Sequence, residues 1–569
     1  MEIQSHFVIL NLITMNKKNV FQKIGSTLLL LLLVMSLSSC AIIENLLYAL
    51  IENGYGDILD GLIDNSYEDY TLIETPQETI IKDREGNKAG YNISLLQQKE
   101  EEDYEILPSI GEQNVLVIPV YFKDYSPISC LGDEKTALTH INTAFFGDSY
   151  SSNITENTTG WESVKSYYYK SSYGKFNLGG QVTSWCPLSK TLKEVASLSS
   201  YNDPSIWVLR EAVSWFKENY PNQVGNYDKD KDGYIDAVAL IYPNEYYDGT
   251  GDQSYDQKYN NSTISDLENL LWAYTYWDYE NKPNVNDPIA NVYTWLSYDF
   301  LWDGDYKVRE YYPGGYSDTR LVDCHTYIHE FGHVLGLDDY YSYDLGDEPL
   351  GRLDMMDFNI GDHNTYSKYL LNWSQPILVE EAGTYTIYPA SKEGENNALL
   401  IPADINKFSY SPFSEYLLIE FYTPEGLNEK DSKEQYLGRD NDVPYLFSKS
   451  GIKIYHVDSR LVYTNDDKKT YYYTNVCNKI DNDVNTQFIG PNNTPSYSIN
   501  PEYKLINLIS SKEGRNAFDS IYSASNRDLY QINDTLNEFT FNSGTQLEYN
   551  IKILEINGNE CATISISKA

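Results

Sequence analysis

The sequence predicts an α+β protein: a mixed, twisted sheet with helices against it, followed by a β-rich, sandwich-like C-terminal region. Three observations point there. Between residues 114 and 336, near-continuous apolar runs alternate with segments of helical spacing. After Pro376 the texture changes to short alternating runs separated by turns. Three of the seven histidines also fall within nine positions of one predicted helix, in "HTYIHEFGHVLGLDDYY" (325–341).

At 569 residues the chain is too long for one ordinary core. The first segment has the form of a secretory signal: a basic start at Lys17, Lys18 and Lys23, an apolar run from Leu28 to Met35, then small residues. The run is short for a membrane span. Met15 makes a sensible start for it. It ends in Leu37-Ser38-Ser39-Cys40, which resembles a bacterial lipobox and predicts lipidation of Cys40, with residues 1–39 removed. Residues 40–111 read as a tether or short pro-region. Ile42, Ile43, Leu46, Leu47, Leu50 and Ile51 form a helical stripe, and "QQKEEEDYE" forms an acidic linker.

Residues 112–376 carry the signals of a folded domain. "NVLVIPVYF" (114–122) and "YIDAVALIYP" (234–243) read as buried strands. "SVKSYYYKSSYGKFNLGGQV" (163–182) reads as a helix, a turn at Gly174 and a strand, and "SIWVLREAVSWF" (205–216) has helical spacing. The histidine-bearing helix is expected over 321–336, stopped by Gly336. Over 377–569, "GTYTIYPA", "EYLLIEFY", "GIKIYHVD", "EFTFNSG", "YNIKILEI" and "CATISISK" are all expected as strands.

Composition narrows the function. With 83 Asp+Glu against 42 Lys+Arg, the chain is repelled by nucleic-acid phosphates, and no nucleic-acid partner is expected. Five cysteines besides Cys40 are widely scattered, which is neither a disulfide framework nor a structural zinc site.

On a helix, residues i and i+4 lie on one face, so His329 and His333 can direct two imidazole nitrogens at one point, with the Glu330 carboxylate beside it. This H-E-x-x-H spacing suits two zinc ligands and a base that deprotonates the attacking water. A third ligand follows the turn at Gly336: Asp339, with Asp338 adjacent but in the less favourable register. His325 and His329 are also spaced i, i+4, but Thr326 would then occupy the base position, so His325 is assigned a supporting role. In "GRLDMMDFN" (351–359), Met355 and Met356 suggest a methionine turn beneath the metal, with Met356 the better candidate.

From these residues the chain resembles the M6 family of secreted bacterial metallopeptidases, the immune-inhibitor-A-like group. "SVKSYYYKSSYGKFNLGG", "DMMDFN" with "YSKYLLNW", "YLLIEFY" and "SGIKIYHVD" extend the resemblance over about residues 112–460. It implies a zinc endopeptidase of zincin fold with calcium sites, acting on protein or peptide substrates. The segment before residue 112 is shorter than the inhibitory region such a resemblance leads one to expect.

"YDKDKDGYID" (227–236) places Asp228, Asp230, Asp232 and Asp236 around Gly233, like the first half of a calcium loop. The twelfth position is Ala239, so it is not a full EF-hand. His363 and Tyr366 follow the methionine turn, and Tyr366 is a candidate for stabilising the transition state. His140, His456 and Asp458 are expected to be structural. The expectation is thus a monomeric, lipid-anchored or secreted zinc endopeptidase with structural calcium, using Glu330 as base. The alternative is a surface binding or adhesion lipoprotein built on a peptidase scaffold.

Overall fold

The computed structural model describes residues 71–73, 105–198, 203–246, 270–312, 315–343 and 346–569, apart from 393, 395–396, 409, 439–442, 465–469, 475–484, 495–499, 501, 516 and 519–522. All of these belong to the unit Thr71–Ala569. The signal segment, Cys40, the stripe at 42–51 and the acidic linker lie outside the described residues.

The molecule is mixed α/β. The first apolar run forms strand β1 (Gly111–Tyr121). Beside it lie β2 (Phe176–Val182), β3 (Val238–Tyr242), β4 (Tyr274–Trp277) and β5 (Val292–Ser297), in the order β2-β1-β3-β5-β4. The first four are parallel; β4, at the edge, is antiparallel to β5. Alternation along β1 sends Val115 and Val117 to one core and Leu116, Ile118 and Val120 to a second. Both faces are covered, and this is why the strand reads as unbroken apolar sequence.

The second core is closed by helix α3 (Pro204–Asn219), through Ile206, Leu209, Ala212, Val213 and Phe216. The first core receives α1 (Glu134–Phe146), α2 (Val164–Ser171) and α4 (His325–Val334). Helix α2 is followed by Gly174 at φ +76°, as its sequence predicted.

Helix α4 is shorter than the expected 321–336. Its first turn is set by Asp323, whose Oδ1 accepts the His325 N–H at 3.2 Å, so the chain is not yet helical before His325. Two short helices follow, α5 (Met355–Phe358) and α6 (Thr365–Leu370).

Beyond residue 376, β6 (Ile377–Leu378), β8 (Ala398–Pro402), β9 (Glu415–Tyr422), β10 (Gly451–Asp458) and β11 (Ile506–Leu508) make a five-stranded sheet. A four-stranded sheet runs β7 (Gly383–Ile387), β14 (Cys561–Lys568), β13 (Tyr549–Asn557) and β12 (Thr535–Leu536). Leu417, Ile419 and Phe421 of β9 share a core with Ile551, Ile553, Ile564 and Ile566 of that second sheet. The alternate residues Tyr416, Leu418 and Tyr422 enter the same core as α4. The five-stranded sheet is therefore buried on both faces, and the hydrophobic packing is continuous across residue 376.

One expected strand differs. "EFTFNSG" (538–544) makes only an isolated bridge from Thr540 to Gln546. Gly544 adopts φ +82° and the chain doubles back, with the Phe541 N–H on the Thr545 carbonyl and the Leu547 N–H on that of Phe539. The apolar alternation of Phe539 and Phe541 serves a tight turn that plugs the third core.

Candidate metal centre

Helix α4 presses Ile328, Phe331 and Val334 into the first core, which turns His329, Glu330 and His333 toward a cleft beside edge strand β4. It ends in a glycine cap. Gly336 sits at φ +92°, and the Leu337 N–H reaches back to the Gly332 carbonyl at 3.0 Å. This turn does two jobs. The Leu337 carbonyl accepts the His333 Nδ1–H at 2.8 Å, and two residues on, Asp339 returns to the histidines.

His329 is fixed in the same way: its Nδ1–H donates to the Met355 carbonyl at 2.8 Å. Carbonyls only accept, so Nδ1 carries a proton in both rings and both Nε2 atoms are the ones turned toward Asp339, where they could serve as ligands. Asp339 Oδ1 meets them at 2.9 Å (His329) and 3.5 Å (His333). His329, His333 and Asp339 thus offer three ligand atoms within 4.8 Å of one another. The Tyr343 hydroxyl donates to Asp339 Oδ2, while Asp339 Oδ1 is buried with no hydrogen-bond donor. Two imidazole nitrogens and one carboxylate oxygen form a donor set that fits zinc.

The electrostatics agree. Burial lowers the pKa of His333, but Asp339 and Glu330 outweigh it and bring it up to about 10. Burial opposes ionisation of Asp339, yet the two histidines hold its carboxyl well below the usual range. Without a metal, these carboxylates favour a proton on His333 Nε2, in the place a dication would take on displacing it. Asp338 does not join the cluster: its Oδ1 accepts from Asn493 Nδ2 at 2.5 Å, and burial and then Asp339 push it up to about 7.

Glu330 lies at the cleft floor. Burial raises its pKa, with the two histidines partly opposing this. Thr275 of β4 donates its hydroxyl to the Glu330 carbonyl at 2.8 Å and lies 3.2 Å from Oε2. The helix and the edge strand are thereby clamped together at the candidate base.

Both residues of the expected methionine turn pack against the helix or its histidine. Met355 supplies the carbonyl that orients His329. Met356 packs so closely under the helix that a Cβ on Gly332 would lie 2.6 Å from its sulfur. That contact explains the glycine inside the motif.

His325 is placed apart from the cluster, stacked between Trp161 and Tyr436 at 4.2 and 4.0 Å. Its Nδ1 lies 2.5 Å from Asp323 Oδ1. Tyr366 is fully buried in the first core, with its ring 6.3 Å from that of Tyr340, and does not line the cleft. His363 is likewise buried, among Tyr167, Tyr168 and Trp373. His140 bonds Tyr298, and His456 bonds Glu415 within the C-terminal sheet. Besides Tyr274 and Thr275, the hydroxyl-bearing residues that line the cleft are Tyr341 and Tyr343. Their signal was their place just after Asp339; Thr275, far upstream of it, had none.

The acidic loop gathers Asp228, Asp230 and Asp236, again within 4.8 Å. Asp232 lies outside this trio, and its Oδ1 accepts the Tyr234 N–H at 2.8 Å. Gly233, at φ +95°, lets the loop lie against the Asn284 backbone, where a Cβ would come within 2.7 Å. Burial, then repulsion from Asp230, Asp232 and Asp228, pushes Asp236 up to about 7. Such a trio of oxygens suits a hard cation such as calcium.

Among known proteins, no family model matches the chain and no curated protein aligns with it.

Proposed function

We propose that this chain is a zinc-dependent endopeptidase with a zincin-like catalytic domain and a C-terminal sandwich, akin to the M6 metallopeptidases. The observation that carries the reading is the convergence of His329 Nε2, His333 Nε2 and Asp339 Oδ1, with Glu330 beside them in an open cleft. When bound, zinc supplies a Lewis acid that polarises the scissile carbonyl and acidifies water. Glu330, buried and raised in pKa, takes the proton of the attacking water and returns it to the leaving amine. Thr275 steadies Glu330, and Tyr343 holds the second oxygen of Asp339.

The substrate class follows from the edge strand. Strand β4 ends the sheet order and borders the cleft through Tyr274, Thr275 and Trp277. An extended peptide pairing with its outer side, where the order of described strands ends, would lie across the histidines. The Asp228 loop is assigned to structural calcium and Cys40 to lipid attachment at the outer face of the membrane. No described helix is long and apolar enough to cross a membrane.

Zinc content and casein cleavage, measured together on Glu330→Ala, test the reading. The variant should keep its zinc and lose roughly 10²–10⁴-fold in rate. Cleavage near the parent rate would remove Glu330 from the mechanism.

A further inference from the structure

A second cavity, of about 300 Å³, opens from the same cleft on the other side of His329 and Glu330. That is the lower end of the range for ligand pockets, so it suits one side chain rather than a length of peptide. Its walls are aromatic, formed by Trp272, Phe300, Tyr341, Phe358 and Tyr436, and it contains the carboxyl groups of Asp303, Glu348 and Asp357. Among the described residues, no lysine or arginine lines it.

Asp357 is the informative group, because it is only 3% exposed. Its Oδ2 accepts the Arg352 backbone N–H at 2.9 Å, but no donor reaches its buried Oδ1. Its close polar neighbour is the Glu348 carboxyl, and two carboxyls bond each other only with a proton on one or a cation between them. The Arg352 guanidinium lies over the Phe358 ring, 3.9 Å from its centroid, and is not part of the cavity wall. Two buried carboxyls that need a proton or a cation between them, in an aromatic cavity that opens beside the proposed base, form a site where a substrate cation can take that proton's place.

We propose that this cavity is the subsite for a cationic side chain of the substrate, a lysine or arginine flanking the scissile bond, bound by Asp357 and Glu348. The aromatic walls pack the methylene stem and face the charge with their π-systems. The assignment rests on the peptidase reading above and deepens it from peptides in general to peptides cut beside a basic residue.

The test uses the zinc-loaded full chain and peptides that differ only in Arg, Lys, Gln or Glu at each position flanking the cleaved bond. At one of those positions, kcat/KM for Arg or Lys should exceed that for Gln by roughly tenfold or more, the scale of one charge-assisted hydrogen bond, with Glu poorest. In Asp357→Asn the Arg-to-Gln ratio should fall toward one. If that variant does not fold, Glu348→Gln is measured the same way. Equal cleavage of Arg and Gln peptides at every position, or a preference unchanged in a folded variant, overturns the subsite while leaving the peptidase standing. Cleavage of no peptide at all overturns both.

Discussion

If the cluster holds zinc as proposed, His329 and Asp339 show how little of such a site is the ligands themselves. Each ligand has its free direction set by a backbone or hydroxyl partner: Met355 for His329, Leu337 for His333, Tyr343 for Asp339. Tyr343→Phe should therefore keep the fold and weaken zinc binding about 10- to 100-fold, as losses of such supporting partners do. Competition with a fluorescent chelator measures it, and an unchanged affinity would mean that Asp339 needs no support. At this scale the spacing His329-Glu330-His333-Asp339 was legible, because helical geometry and one glycine turn determine where four nearby residues point. Thr275, Glu348 and Asp357 were not. Thr275 reaches Glu330 only through the sheet, and nothing in the sequence links Glu348 to Asp357 until the cavity brings them together.

The proposed catalytic element is a helix plus its ending, not the helix alone. Gly336 at φ +92° is what brings Leu337 and Asp339 back toward the histidines. Gly336→Ala forces a side chain into a left-handed conformation and should cost about 1 kcal/mol or more in urea unfolding. It should also weaken zinc binding, since the third ligand follows the turn. Equal stability and affinity in the variant would contradict this account of the cap. The sequence announced the stop through the glycine itself. The start was harder to read, because Cys324 is no cap and Asp323 acts from one residue further out. "EFTFNSG" misled for a similar reason: alternation of Phe539 and Phe541 marks burial, and burial does not distinguish a strand from a packed turn.

Across the whole molecule, the five-stranded sheet joins the two halves that composition divides at Pro376. The alternation of Leu417 and Leu418 was visible as a continuous apolar run, but not that each face belongs to a different core. Buried charge ties the sheets further. Glu415 lies 3.0 Å from His456 Nε2 and 3.6 Å from the Arg460 guanidinium, and accepts the Ser543 N–H at 3.1 Å. Asp458 and Arg515 also face this cluster. Burial opposes its ionisation, but the His456 bond, Arg460 and Ser543 together bring its pKa down to about 2 from 4.5. The folded value is depressed, so this stability is present above about pH 4.5 and lost as pH falls toward 2. Urea-unfolding stability should therefore drop more steeply over that window in the parent than in Glu415→Gln, and equal slopes would remove Glu415 as the cause.

Titration of zinc into the metal-stripped full chain, with bound metal and casein hydrolysis followed in the same samples, tests the central claim most directly. Hydrolysis should rise in proportion to zinc held at His329, His333 and Asp339, and Asp339→Asn should lose both together. Hydrolysis that persists without zinc, or zinc bound as tightly in Asp339→Asn as in the parent, would contradict it.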